Sequence, residues 1–317
     1  MTGLLAMGLG TPTGANSAPL AALTLQLDWL LTTQFAGLMV AEAQGLYGQQ
    51  GVAVTLKPAT AGLDLVGTVA QTPDMLGSVE QAVLLEAQAD GVPVSAVATM
   101  FQASPLALMG PDSQSLATLQ DLVGKRVGLH EDGLKALDLV LTNHGIDPHR
   151  VDRSLIPYTD KFEALTAGHF DAVQCYALDE PLDFAQHIGH APALLKFCDV
   201  GFDAYAQVIF ASDQLLAAQP AAVLAFLSAT FDGWQRAMDD VAATAQLITT
   251  RYASSNVADL EYQQQTLQRL LPYVYAKGTQ LGTISPQRWR QSARQLADCG
   301  LIEAVPTGGL WSQAWVS

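Results

Sequence analysis

The chain has 317 residues, half of them hydrophobic, with 30 Asp and Glu against 15 Lys and Arg and a formal charge of −15. That length and apolar content support two lobes with a core each and exclude a disordered chain. The basic residues are scattered without a run, which sets nucleic acid and anionic membrane surfaces aside as partners.

Ahead of Lys125 the only Lys or Arg is Lys57, so the first third of the chain offers an anionic ligand almost no cation. The three cysteines, Cys175, Cys198 and Cys299, lack paired short spacing and read as buried small apolar residues. All six histidines fall between His130 and His190 without HxxxH or HExxH spacing, so neither a metal nor a cofactor is expected. Residues 1–22 are small, apolar and turn-rich, like the end of a secretory signal, with Ala18, Ala21 and Ala22 near a plausible cleavage point. They lack a basic n-region, so a start placed too far downstream and a disordered linker both stay open. No stretch reaches the roughly 18 consecutive apolar residues of a membrane span.

Leu23, Leu25 and Leu27 alternate with Thr24, Gln26 and Asp28, the period-two pattern of a half-buried strand. A helix over 36–44 follows and Gly45 stops it. Asp28 and Trp29 thus stand at the C-terminal end of a strand, the edge where ligands bind in open α/β sheets. Next come a strand over 52–56, a helix over 62–70, a strand over 74–78, a helix over 80–89 that Ser78 is placed to cap, and a strand over 94–99. This alternation predicts a mostly parallel sheet with helices on both faces.

An apolar run over 106–109 leaves that unit and Gly110-Pro111-Asp112 breaks it. Alternation restarts with helix 116–122, strand 126–129, helix 133–143, strand 155–157, helix 161–167 and strand 172–176, a second α/β lobe within 110–200. After a β-rich run over 205–210 the chain reads as helices over 212–218, 221–239, 241–252, 257–270 and 286–299. Pro220 sits where a proline suits a helix start.

Four stretches then gain meaning together: Leu25-Gln26-Leu27-Asp28-Trp29 with Gly37-Leu38-Met39-Val40-Ala41; Gly45-Leu46-Tyr47 to Val52-Ala53-Val54; Asp121 to Gly128; and Asp171-Ala172-Val173 to Glu180-Pro181. In this order they resemble the periplasmic solute-binding proteins of the thiamine pyrimidine synthase-like family, which includes binders of formylaminopyrimidine and hydroxymethylpyrimidine precursors. The resemblance spans residues 23–301. It implies an α/β, two-lobed type II periplasmic-binding-protein fold with the ligand cleft between lobes that close on binding. Residues 23–108 and 202–317 would form lobe 1 and 109–201 lobe 2, with crossings near 103–109 and 201–208. It further implies a non-catalytic component of an ABC importer, exported to the periplasm or membrane-anchored, monomeric, and partnered by a permease and a small-molecule ligand.

Two departures narrow the reading. Pyrimidine synthases of the family carry a histidine six positions after the tryptophan in a DWxPNxxH motif; here that position is Phe35, and Leu31 and Thr32 replace the Pro-Asn pair. In the fungal enzymes that histidine is the source of ring atoms, so Phe35 removes the chemistry. The strand-to-helix turn of 128–133 carries Glu131 and Asp132, which repel an anion from a helix N-terminus. Together with the missing cations, this argues for a neutral or cationic heterocycle, with a thiamine-type pyrimidine first.

The candidate ligand-binding residues each have a bland counterpart. Trp29 stacks a planar ring or belongs to a core, and Asp28 accepts from a ring amine or closes a loop. By the resemblance, Tyr176 covers the opposite ring face and Glu180 binds an exocyclic amine, against a plain helix N-terminal acid. Ser78, and more weakly Glu80, lie in a turn that lines the cleft. Phe101, with Gln102, walls the pocket or sits in core; Phe35 reads as core. A ligand-sensing receptor domain and an enzyme on the same fold, a pyrimidine synthase or a menaquinone-pathway lyase, are the competing functions.

Overall fold

The computed structural model describes residues 21–60, 62–157, 160–252, 259–275 and 279–311. Most of the signal-like stretch and the first two residues of the helix expected over 257–270 lie outside the described residues. In chain order the strands are β1 (Ala21–Gln26), β2 (Val52–Lys57), β3 (Met75–Val79), β4 (Val94–Phe101), β5 (Leu106–Gly110), β6 (Arg126–Leu129), β7 (Asp152–Leu155), β8 (Ala172–Tyr176), β9 (Ala193–Lys196) and β10 (Ala206–Ser212). They form two sheets, ordered β2-β1-β3-β10-β4 and β7-β6-β8-β5-β9. The chain leaves the first sheet after Phe101, enters the second at Leu106, and returns between Lys196 and Ala206.

The expectation of a mostly parallel sheet holds for four of the five strands in each sheet, with one antiparallel strand inserted in each. β1 pairs parallel with β2 and β3, and β6 with β7 and β8, as strand-helix alternation requires. However, β10 runs antiparallel between β3 and β4, and β5 antiparallel between β8 and β9. These two are the strands that cross between sheets, and each enters its new sheet against the direction of the strands beside it. Nothing in their local sequence encodes that direction.

Other differences are local. The helix expected over 116–122 is a single 3₁₀ turn, Leu119–Leu122, fastened by a capping box between Thr118 and Asp121. β7 precedes the strand expected over 155–157. The helix Glu180–Ile188 matches the plain helix-start reading of Glu180, while strand β9 has no counterpart in the sequence reading. Val241–Leu247 is α-helical but gives way to a π-helical turn over Ile248–Tyr252. Of the cysteines only Cys175 is buried; Cys198 and Cys299 are half-buried.

The C-terminal helices pack on the first sheet's unit at several places, and one contact is especially close. Helix Ala36–Ala43 packs on helix Pro220–Asp239, where the fully buried indole of Trp234 lies over Gly37. A Cβ on Gly37 would stand 2.2 Å from Trp234 Cγ, and one on Gly233 would stand 2.3 Å from the Gly37 carbonyl oxygen. These two glycines are what let the helices approach. Phe101 meets Trp234 edge-on, with ring centroids 6.0 Å apart and planes at 79°.

Candidate ligand-binding site

The polar groups of the two sheets meet at facing strand ends. On the first sheet, β1 delivers Asp28 and Trp29 and β3 delivers Ser78 followed by Glu80. Because β10 is antiparallel, with Val208 opposite Val79, its first residues lie at that same edge and bring Gln207 beside them. From the second sheet, β8 ends at Tyr176, and β6 runs into His130 and helix Glu131–Asn143.

Two hydrogen-bonded groups line these ends, and the first of them joins the sheets. The Tyr176 hydroxyl donates to Glu80, linking the two sheets, and Ser104 Oγ donates to the other Glu80 oxygen at 3.2 Å. Gln207 Nε2 donates to Asp28 Oδ2 at 3.2 Å and to the Tyr176 hydroxyl at 3.3 Å, while its Oε1 accepts from Ser78 Oγ at 2.8 Å. On the second-sheet side, Gln174 Nε2 donates to Asp132 Oδ1 at 3.0 Å and Gln174 Oε1 accepts the His130 N–H at 2.9 Å. The position of Gly133 permits this approach, since a Cβ there would strike Gln174 Oε1.

The electrostatics follow from shielding. Burial pushes the Asp28 carboxyl up to about 7, with the Asp132 charge adding and the Gln207 bond opposing. Burial also holds Glu80 well above the ordinary carboxylate range, and Asp132 is raised for the same reason. The Tyr176 phenol is raised by burial and then by the charges of Glu80 and Asp28. Burial, followed by the charge of Lys161, brings His130 down to about 4. Such a site stabilises added positive charge or N–H donors and resists an anion.

Of the residues singled out in the sequence, Asp28, Ser78 and Tyr176 come together. Ser78 does not cap the following helix: it is fully buried in β3, and Glu80 stands at the N-cap without a side-chain capping bond. Trp29 is half-buried at the margin of the core, and its carbonyl accepts the Ala59 N–H at 2.9 Å. Phe101 lies in the core against Trp234 rather than on a cleft wall, because the Gly37 opening draws the indole onto it. Glu180 has both oxygens engaged inside the second lobe, one by the Tyr176 backbone N–H at 2.7 Å and the other by Lys161. It serves there as a helix-start acid with a buried counter-ion, not as an open acceptor.

Glu80, weighed weakly in the sequence, is a centre of the network; Asp132 enters the sequence reading only as an anion-repelling acid, and Gln207, Ser104 and Gln174 do not enter it as site residues. Gln207 had a legible signal, as the single polar residue in the apolar run 206–211. Lys161, 4% exposed, was read only as a helix residue.

The model of the family described as NMT1/THI5 like matches residues 32–243. The chain belongs to that family. Among curated relatives, the riboflavin-binding protein RibY of Chloroflexus aurantiacus is 26% identical over 314 residues, covering 93% of this chain and 88% of that protein. The 4-amino-5-hydroxymethyl-2-methylpyrimidine phosphate synthase of Legionella pneumophila is 29% identical over 140 residues, 42% of this chain and 43% of the synthase. Among solved structures, the alkanesulfonate-binding protein SsuA of Xanthomonas axonopodis pv. citri superposes with a TM-score of 0.70 at 18% identity, covering 93% of this chain and 99% of SsuA. This NMT1/THI5-like chain therefore has the two-lobed fold of periplasmic solute-binding proteins. No helix among its described residues is long and apolar enough to cross a membrane.

Proposed function

We propose that this protein is the solute-binding component of an ABC importer, acting outside the cytoplasmic membrane and capturing a small planar heterocycle, neutral or cationic, between its lobes. A thiamine-type pyrimidine is the first candidate. The observation that carries the reading is the hydrogen-bonded cluster of Asp28, Glu80, Gln207 and Tyr176 at facing strand ends, with Asp132 acting on it by charge: shielded acceptors without a Lys or Arg among them. The cation whose charge reaches Asp132, Lys161, is already paired with Glu180. Trp29, half-buried at the same edge, supplies a ring face from the first lobe, and Tyr176 one from the second. The capture is not catalytic, because Phe35, fully buried in the core, stands where the synthases need their histidine.

The riboflavin-binding relative, aligned over nearly the whole chain, favours a flavin as the second reading, since the flavin ring also presents an N–H donor. Calorimetry with 4-amino-5-hydroxymethyl-2-methylpyrimidine, its phosphate, riboflavin and nitrate tests both. The uncharged rings are expected to bind and the anions to bind far more weakly; tighter binding of the phosphate or nitrate overturns the proposal. Trp29→Ala is expected to lose about 1–3 kcal/mol of affinity, the scale of stacking on an aromatic side chain.

A further inference from the structure

Gln207 combines three features that no other described residue shares. It is the one non-glycine residue among them with a left-handed backbone, at φ 51°. Its side chain is buried, 1% exposed, and its amide is fully committed: Oε1 to Ser78, Nε2 to Asp28 and to Tyr176. Finally, its partner Asp28 keeps a second oxygen, Oδ1, that is shielded from solvent and has no hydrogen-bond partner among the described residues.

A left-handed φ is costly for a glutamine and free for a glycine, so its persistence here points to a task that only the side chain performs. A kink beside it serves the same end. The β10–β4 register shifts between Ile209 and Phe210, which re-aims the start of the strand. The amide then lies between Ser78 from the first sheet, Asp28 at its edge and Tyr176 from the second sheet. Pinning Asp28 by Oδ2 fixes the direction of Oδ1, which in the ionised carboxylate is an acceptor to be met by a donor once the lobes close around a ligand.

We propose that Gln207 is the positioning residue of the cleft: it holds Asp28 so that Oδ1 accepts an N–H from the ligand, and so selects heterocycles with a donor at the ring edge. This inference rests on the capture reading above. The titratable groups facing Asp28 are Glu80 beyond β3, Asp132 on helix Glu131–Asn143 and Tyr176 of β8, none of which occupies Oδ1.

The test uses Gln207→Met, which keeps length and backbone demand but removes donor and acceptor. The probes are 4-amino-5-hydroxymethyl-2-methylpyrimidine with its analogue lacking the amino group, and riboflavin with its 3-methyl derivative. The wild type is expected to prefer the N–H member of its pair by about tenfold or more, and the variant to show the two alike, because an unheld Asp28 no longer aims Oδ1. In the ligand-free protein, carboxyl NMR is expected to show Asp28 titrating higher in the variant than in the wild type, since the donor that favours its ionised form is gone. A role in packing alone would move neither reading. If the Met variant fails to fold, Gln207→Asn replaces it, as Asn accepts a left-handed φ but its amide is too short to bridge Ser78 and Asp28. Wild-type preference retained in the variant, or an unmoved Asp28 titration, overturns this inference alone. A wild type that binds none of the four probes overturns it together with the capture reading.

Discussion

The hydroxyl of Tyr176, at the end of β8, donates to the carboxyl of Glu80, beyond the end of β3, and so ties the facing edges of two separate sheets. Tyr176→Phe removes that donor and also an acceptor of Gln207 while leaving the ring in place. A net hydrogen bond is worth about 1 kcal/mol, so the variant should unfold at slightly lower denaturant. It should also populate a more open arrangement of the lobes. Small-angle scattering of the ligand-free protein is expected to show a larger radius of gyration than for wild type; an unchanged radius would mean that the pair does not govern closure.

Stability should fall as pH rises through neutrality. The native Asp28 carboxyl titrates near 7 against an ordinary 3.8, so between those values the folded protein holds a proton that the unfolded chain releases. Its contribution is complete below the ordinary value and is lost as pH climbs through about 7; Glu80 and Asp132 act in the same direction. His130 acts oppositely. Brought down to about 4, it contributes stability that is present above its ordinary 6.5 and is lost as pH falls toward 4. Urea unfolding at about pH 6 and about pH 8 should therefore give a lower free energy at the higher pH, and Asp28→Asn should lessen the difference. A wild type equally stable at both would contradict this.

Breaking the Lys161–Glu180 pair should cost stability, not ligand discrimination. Lys161 is almost wholly buried and Glu180 is 18% exposed at its side chain, so removing one partner strands the other's charge. Lys161→Met is expected to cost about 3 kcal/mol, and joint replacement by Lys161→Met and Glu180→Leu to recover most of it. Glu180→Gln should weaken amino and des-amino ligands alike. Selective loss of the amino ligand would return Glu180 to the role that its sequence context implied.

The contact between helices Ala36–Ala43 and Pro220–Asp239 supplies a packing test. Gly37→Ala drives a methyl into the Trp234 indole and should destabilise by at least about 1–3 kcal/mol. Gly48→Ala, in helix Leu46–Gln49 with nothing within 4 Å of the added methyl, should be neutral or slightly stabilising. Thermal melts of the two variants make the comparison, and equal melting temperatures would rule out the close approach at Gly37.

The alternation of Leu23, Leu25 and Leu27 and the helical periods that follow determined, without any tertiary information, that strands and helices alternate and that Asp28 and Trp29 stand at a strand end. The replacement of a histidine by Phe35 and the scarcity of early cations were equally open to reading. These are local properties, carried by side-chain spacing within one element. What only the tertiary structure decided is who meets whom. Tyr176 reaches Glu80 across 96 positions of sequence, and Gln207 reaches Ser78 across 129. Glu180 turned inward because Lys161 lay on the neighbouring helix, and Phe101 joined the core because Gly37 and Gly233 made room for Trp234. Each outcome depends on a strand direction or a close approach between distant elements, and period and propensity carry no information about either.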